Sequence, residues 1–188
     1  MLAGEFIRTK VAPELDAFRF ATYASADGVG TGDGTLTSGE EVVAALRVAT
    51  NIMDENEVPM EDRVLFITPT LHGLVQDMDL VNSREVLSRF SQVITVPQTR
   101  FYTAIQQNDG TTSGETGGGY SKASWGVDIN FMVVHKGAVI QFPKHISPKV
   151  VSPEMNPDAD AWKFGYRQVS VAEVYENKTA GVYVHHKA

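Results

Sequence analysis

Apolar residues in this chain recur first at helical spacing and later at alternate positions. In GEFIRTKVAPELDAFRFATYA (4–24), Ile7, Val11, Leu15 and Phe18 fall on one helical face with charged residues between them, which predicts a long amphipathic helix. Pro13 lacks the N–H of an internal helical hydrogen bond, so a bend is expected there. ASADGVGTGDGTLTSG (24–39) contains five glycines and no periodicity, and reads as a flexible loop separating two structural units. Ser38 and Glu41 then form a Ser-x-x-Glu capping box. Val42, Leu46, Ala49 and Met53 follow it on one face, up to a stop near Asn56 and Pro59.

RVLFITP (63–69) is short, apolar and β-branched, as a buried strand is. A short helix carrying Leu71, Leu74, Val75 and Met78 follows, then another turn or two at SREVLSRF (83–90) and a strand broken at Pro97. The Gly-, Ser- and Thr-rich run at 106–124 predicts a mobile surface loop outside any packed core.

Beyond it the period becomes two. VDINFMVVHKGAVIQF (127–142) reads as two strands around a tight turn at Lys136 and Gly137, and KHISPKVVSPEMNPDADA (144–161) as an extended connector punctuated by prolines. In WKFGYRQVSVAEVYEN (162–177) the aromatics at 162, 164 and 166 give way to valines at 169 and 171, a change of phase that predicts a β-bulge near Gly165–Gln168. GVYVHHK (181–187) closes the chain as a strand paired across the NKTAG turn. Helices early and antiparallel strands late make the fold class α+β.

Composition narrows the function. The chain has 188 residues, 43% of them hydrophobic, enough to bury about 70% of the unfolded surface without staples. It has no cysteine, so disulfides and thiolate chemistry are excluded. A formal charge of −7, from 16 basic and 23 acidic residues, disfavours broad nucleic-acid binding. No apolar run approaches a membrane span, and MLAGEFIRTK lacks the order of a signal peptide, so the chain reads as soluble and not exported. Asn177 to Thr179 match a glycosylation acceptor and are read as part of a turn.

Candidate chemistry is sparse. Asn156, Asp158 and Asp160 stand at alternate positions like the opening ligands of a calcium loop, but the sixth and twelfth positions hold Ala161 and Arg167 in place of glycine and a bidentate glutamate. A polar loop entering a strand is the expectation. His72, His135, His145, His185 and His186 never form His-Glu-x-x-His, and the adjacent pair His185 and His186 points to opposite faces of a strand. GVGTGDG and GETGGGYSK miss both phosphate-loop and dinucleotide spacings, and no Gly-x-Ser-x-Gly or Ser-x-x-Lys nucleophile occurs. The carboxylate pairs Asp77 and Asp79, or Glu40 and Glu41, suit solvated faces and helix N-termini equally well. No catalytic, cofactor-binding or metal residue is assigned.

Taken in order, FIRTKVAPELDAFRF (6–20), DENEVPMEDRVLFITPTLHGLV (54–75), VITVPQTRFYTA (93–104), INFMVVHKGAVIQFPKH (129–145) and NPDADAWKFGYRQVSVAEVYENKTAGVYVH (156–185) resemble major capsid proteins of tailed bacteriophages and prophages with the Hong Kong 97-type coat fold. The resemblance implies a spine helix with a narrow antiparallel sheet beside a mixed α/β axial domain. Residues 1–36 would form the peripheral spine helix and loop, 37–145 the axial domain, and 146–188 the strands that return to complete both. It further implies a structural, non-enzymatic subunit that self-assembles into the icosahedral shell enclosing a genome. Its partners would be other copies of itself in capsomers, with scaffolding or portal proteins possible, and neither specific nucleic-acid binding nor a membrane is implied. Its place would be the virion, after assembly in the host cytoplasm.

Family members carry an N-terminal arm and an extended loop before the helix. The resemblance therefore implies that this chain matches the C-terminal part of a subunit, a monomer or weak oligomer alone, to which the crosslinking of some relatives does not transfer. Asp158, Asp160 and Arg167 become candidates for structural ion pairs. Two other classes stay open: a nanocompartment shell of the same fold, and a small hydrolase or ligand-binding domain using the five histidines and scattered carboxylates.

Overall fold

The structure is a computed structural model that describes residues 2–78 and 81–188. Its first element is a long helix in three parts, α1 (Leu2–Phe6), a π-helical stretch Ile7–Val11, and α2 (Ala12–Ala24). The expected irregularity at Pro13 thus takes the form of a widened turn just ahead of the proline, which accommodates a residue that cannot donate to the ladder. The face that enters the core is Ala17, Phe20 and Ala21, whereas Val11, Leu15 and Phe18 on the opposite face are only half-buried. The helix is apolar on two sides because it is covered on two sides.

Among the described residues a five-stranded sheet in the order β1-β9-β6-β2-β3 forms the main body. Its strands are β1 (Gly30–Asp33), β2 (Arg63–Ile67), β3 (Gln92–Thr95), β6 (Ile129–His135) and β9 (Val182–His186). β6 runs antiparallel to both neighbours, while the outer pairs β1/β9 and β2/β3 are parallel. Helices α3 (Gly39–Glu55), α4 (Pro69–Asp77) and α5 (Val81–Ser88) belong to one side of the sheet, where Leu46, Met53, Leu65, Ile67, Phe131 and Val133 pack together. On the other side Phe20 and Tyr23 of α2 meet Phe101, Met132, Val134 and Val184. Burial on both faces explains why RVLFI and INFMVV are continuous apolar runs.

The capping box is present as read: Ser38 Oγ accepts from the Glu41 amide, and the Glu41 carboxylate accepts from the Ser38 amide. The loop at 24–39 is not wholly irregular, because Gly30–Asp33 forms the edge strand β1. Glycine spacing hid that strand, and its cause is a close approach: a Cβ on Gly32 would lie 2.4 Å from the buried Tyr183 hydroxyl. The run at 106–124 is likewise less free than expected. β4 (Ile105–Gln107) and β5 (Tyr120–Lys122) pair at its base, and Ala123 is buried. Its tip is organised by Asp109, whose carboxyl is held well below its ordinary range by the Thr112 hydroxyl and the Thr112 and Thr111 amides.

Two expected hairpins are replaced by sheet changes. β6 and β7 (Val139–Val151) do not pair with each other across Lys136–Gly137, nor do β8 (Lys163–Val174) and β9 across NKTAG. Both junctions are 3₁₀ turns, Lys136–Ala138 and Glu176–Gly181, joined where the Tyr175 amide donates to the Ala138 carbonyl. Between them the chain makes one long excursion, the two-stranded antiparallel ribbon β7/β8. The supposed connector after Lys144 is therefore strand through Val151. Pro143 and Pro148 are tolerated because each strand of a two-stranded ribbon has a free edge to which a residue without an N–H can turn. The register slips at Pro143/His145, so the bulge belongs to β7 and not to Gly165–Gln168. β8 itself keeps strict alternation from Tyr166 to Val174, with Val169 and Val171 at its exposed positions.

Candidate assembly surface

The ribbon leaves the body along the long helix. From Tyr166 to Val174 the even-numbered residues of β8 are half-buried or buried, and Tyr166, Gln168 and Ser170 line a cleft with Val11, Leu15 and Phe18. Tyr23 Oη donates to the Ile140 carbonyl at 3.3 Å, fixing the ribbon's base to α2. Burial pushes the Tyr23 phenol above its ordinary value, with Arg19 pulling the other way, so it stays protonated and able to donate. Asp16, on α2, also binds Arg100 at 3.0 Å, which ties the helix to the segment after β3.

The other ribbon face meets solvent. Phe142 pairs across the strands with Val171, and His145 with Val169. Phe142 is 60% exposed, and Val169 and Val171 41% each. Farther out, Val150 and Phe164 form another exposed cross-strand pair, with Met155 and Trp162 at the tip. A cleft of 420 Å³ opens between this end and the first helical turns, lined by Phe6, Ile7, Pro148, Val150, Phe164 and Tyr166. The apolar surface continues over both faces of the thin ribbon and is more than scattered exposed side chains.

The segment from Asn156 to Lys163 joins the end of β7 to β8. Asn156 Oδ1 accepts from the Asp158 amide, its Nδ2 donates to the Ala161 carbonyl, and Asp158 pairs with Lys163 at the mouth of β8. Among the described residues neither Asp158 nor Asp160 forms an ion pair with Arg167, which lies exposed on the ribbon. The histidines are dispersed over α4 (His72), β6 (His135), β7 (His145) and β9 (His185, His186), and no group of three or more His, Asp or Glu among the described residues is placed to hold a metal ion. His185 and His186 do point apart: the first stacks on Phe131 at 5.0 Å, the second bonds through Nδ1 to the Lys187 carbonyl. Glu40 and Glu41 occupy the N-terminus of α3 as expected, and the pair of Asp77 with Asp79 lies partly outside the described residues. No described helix is long and apolar enough to cross a membrane.

Sequence reasoning did not single out the outward apolar face, because the step from aromatics at 162, 164 and 166 to valines at 169 and 171 was read as a bulge. The signal was the unbroken alternation of β8, which places them opposite Tyr166 and Gln168.

No family model matches the chain, and no curated protein does. Solved structures do. A chain of Mycobacterium phage Che8 is similar at a TM-score of 0.59 and 11% identity, over 93% of this chain and 58% of that one. The capsid of cyanophage P-SCSP1u gives 0.58 and 17%, over 94% and 61%. A virus-like particle from Pyrococcus furiosus gives 0.62 and 9%, over 93% and 63%. The chain thus shares the α+β fold of these structures and spans about three-fifths of their length.

Proposed function

We propose that this chain is a building block of a phage-type capsid, acting through its contact surfaces and catalysing no reaction. The observation that carries the reading is the apolar ribbon alongside a long helix, on a fold similar to that of a cyanophage capsid and a virus-like particle. Exposed apolar area of this kind is costly to a lone molecule and useful to one that meets copies of itself, because a shell is stabilised by many modest interfaces repeated by symmetry. In this reading the long helix and the ribbon form the peripheral arm and the five-stranded sheet with α3–α5 the axial body. The boundaries drawn from the sequence, 1–36, 37–145 and 146–188, shift in this reading so that β1 and β9 join the body and the arm takes residues 139–174. The partners are other copies, in a virion capsid.

Sedimentation velocity across a concentration series tests this. The expected result is reversible, concentration-dependent self-association that Phe142→Asp with Val171→Asp abolishes. A strict monomer at the highest attainable concentration, unaffected by those substitutions, would overturn it. Similarity to a virus-like particle leaves a nanocompartment shell as the second reading, and mass spectrometry of any assembled particles separates protein cargo from nucleic acid.

A further inference from the structure

The end of β1 is held to the sheet by a buried polar triad that the shell-building role does not require. Asn130, the second residue of β6, sends its amide nitrogen to the Gly34 carbonyl at 2.8 Å and to His185 Nδ1 at 3.0 Å. A carbonyl can only accept, so the Asn130 NH₂ must face Gly34, and its second hydrogen then points at His185. Nδ1 of His185 is therefore the acceptor and the ring proton sits on Nε2. The imidazole is 6% exposed and lies flat against Phe131, with 19° between the rings. It has little room to turn.

We infer that His185, Asn130 and Gly34 form a proton-sensitive latch. Neutral His185 holds the exit of β1, and with it the link from the long helix to α3, against the sheet; protonated His185 releases it. Adding a proton to Nδ1 sets N–H against N–H. Rotating the Asn130 amide would satisfy the imidazolium, but would turn Oδ1 onto the Gly34 carbonyl, acceptor against acceptor. Either way one bond of the triad is lost and Asn130 no longer ties both Gly34 and His185 together.

The charged surroundings do not forestall this. Asp33 on β1 favours the imidazolium, and His186 opposes it. Asp128, two residues before Asn130, is engaged by Lys122 at 3.0 Å and Lys187 at 2.9 Å. From α3 the apolar Val42, Val43 and Leu46 cover this side of the sheet, and Glu41 is turned to Thr37 and Ser38. Burial is the largest influence and pushes His185 below the ordinary histidine value of 6.5. The unfolded or released segment therefore binds the proton first, and the latch weakens as pH falls below that value.

Hydrogen exchange of the intact chain between pH 7.5 and 5, corrected for the intrinsic rate, reads the latch at the Gly34 amide, which donates to the His186 carbonyl at 3.0 Å. Exchange at residues 30–36 should rise with acid, by up to about tenfold per pH unit for one linked proton, while α3 amides keep their protection. His185→Gln should flatten the response. Flat wild-type exchange, an unchanged response in the variant, or parallel loss across α3 would each overturn the proposal. Imidazole ¹⁵N shifts test it without any substitution: at pH 7.5 they should show Nδ1 unprotonated, and a proton on Nδ1 would refute the latch.

Discussion

Arg63 Nη2 lies 2.7 Å from Asp54 Oδ1, with the arginine side chain wholly buried and the aspartate 39% exposed. Arg63 also donates to the carbonyls of Val58 and Pro59, so one guanidinium gathers the end of α3, the turn after it and the start of β2. Removing the carboxylate leaves a buried cation short of its partner. Asp54→Ala is expected to lower stability by about 1–3 kcal/mol, below the cost for a fully buried pair because Asp54 keeps some water. Urea unfolding followed by circular dichroism measures it, and an unchanged midpoint would contradict this reading.

Gly39 opens α3 under α4. A Cβ there would lie 2.4 Å from the Leu74 carbonyl oxygen, a backbone atom that cannot step aside. Gly39→Ala should therefore cost about 1–3 kcal/mol although alanine is the better helix former, and its melting temperature should fall accordingly.

The cap of α3 links stability to acid. Glu41 is held below its ordinary value of 4.5, chiefly by the Thr37 amide and hydroxyl and then by the Ser38 amide. A carboxylate so depressed stabilises the fold above its unfolded value and ceases to as pH falls through the folded one. Ser38→Ala should cost about 1 kcal/mol at neutral pH. In Glu41→Gln the part of the acid-induced loss that arises below pH 4.5 should shrink, as thermal melts across pH would show.

Val171→Asp separates building from folding. The residue is on the solvent face of the ribbon, so monomer stability should fall by only about 1–2 kcal/mol, from lost strand propensity and the lost pair with Phe142. Self-association should weaken severely, since a carboxylate would replace part of the apolar contact. Matched chemical denaturation and sedimentation on the same sample give both numbers.

The body of the fold was legible because local signals there agree with the tertiary environment. The Ser38–Glu41 box, the face from Val42 to Met53 and the doubly buried RVLFI each have one reading, and the structure keeps it. The arm was not, because its residues answer to partners far along the chain. Lys136–Gly137 looks like a hairpin turn, but β6 finds β2 and β9 while β7 finds β8. The prolines at 143 and 148 argue against a strand unless one knows that it has a free edge. Gly30 and Gly32 look like loop residues until Tyr183 is placed over them. His185 was visible only as a member of an adjacent pair, and nothing local announces Asn130 and Gly34 as its neighbours.

Because the chain departs at Ala138 and comes home at Tyr175, atoms already bonded to each other, everything between is a detour that the body need not notice. Its length can be altered four residues at a time, two from each strand, leaving the inward and outward sides where they were. A lineage could thereby retune the reach and curvature of whatever it builds without remaking the platform from which the limb extends.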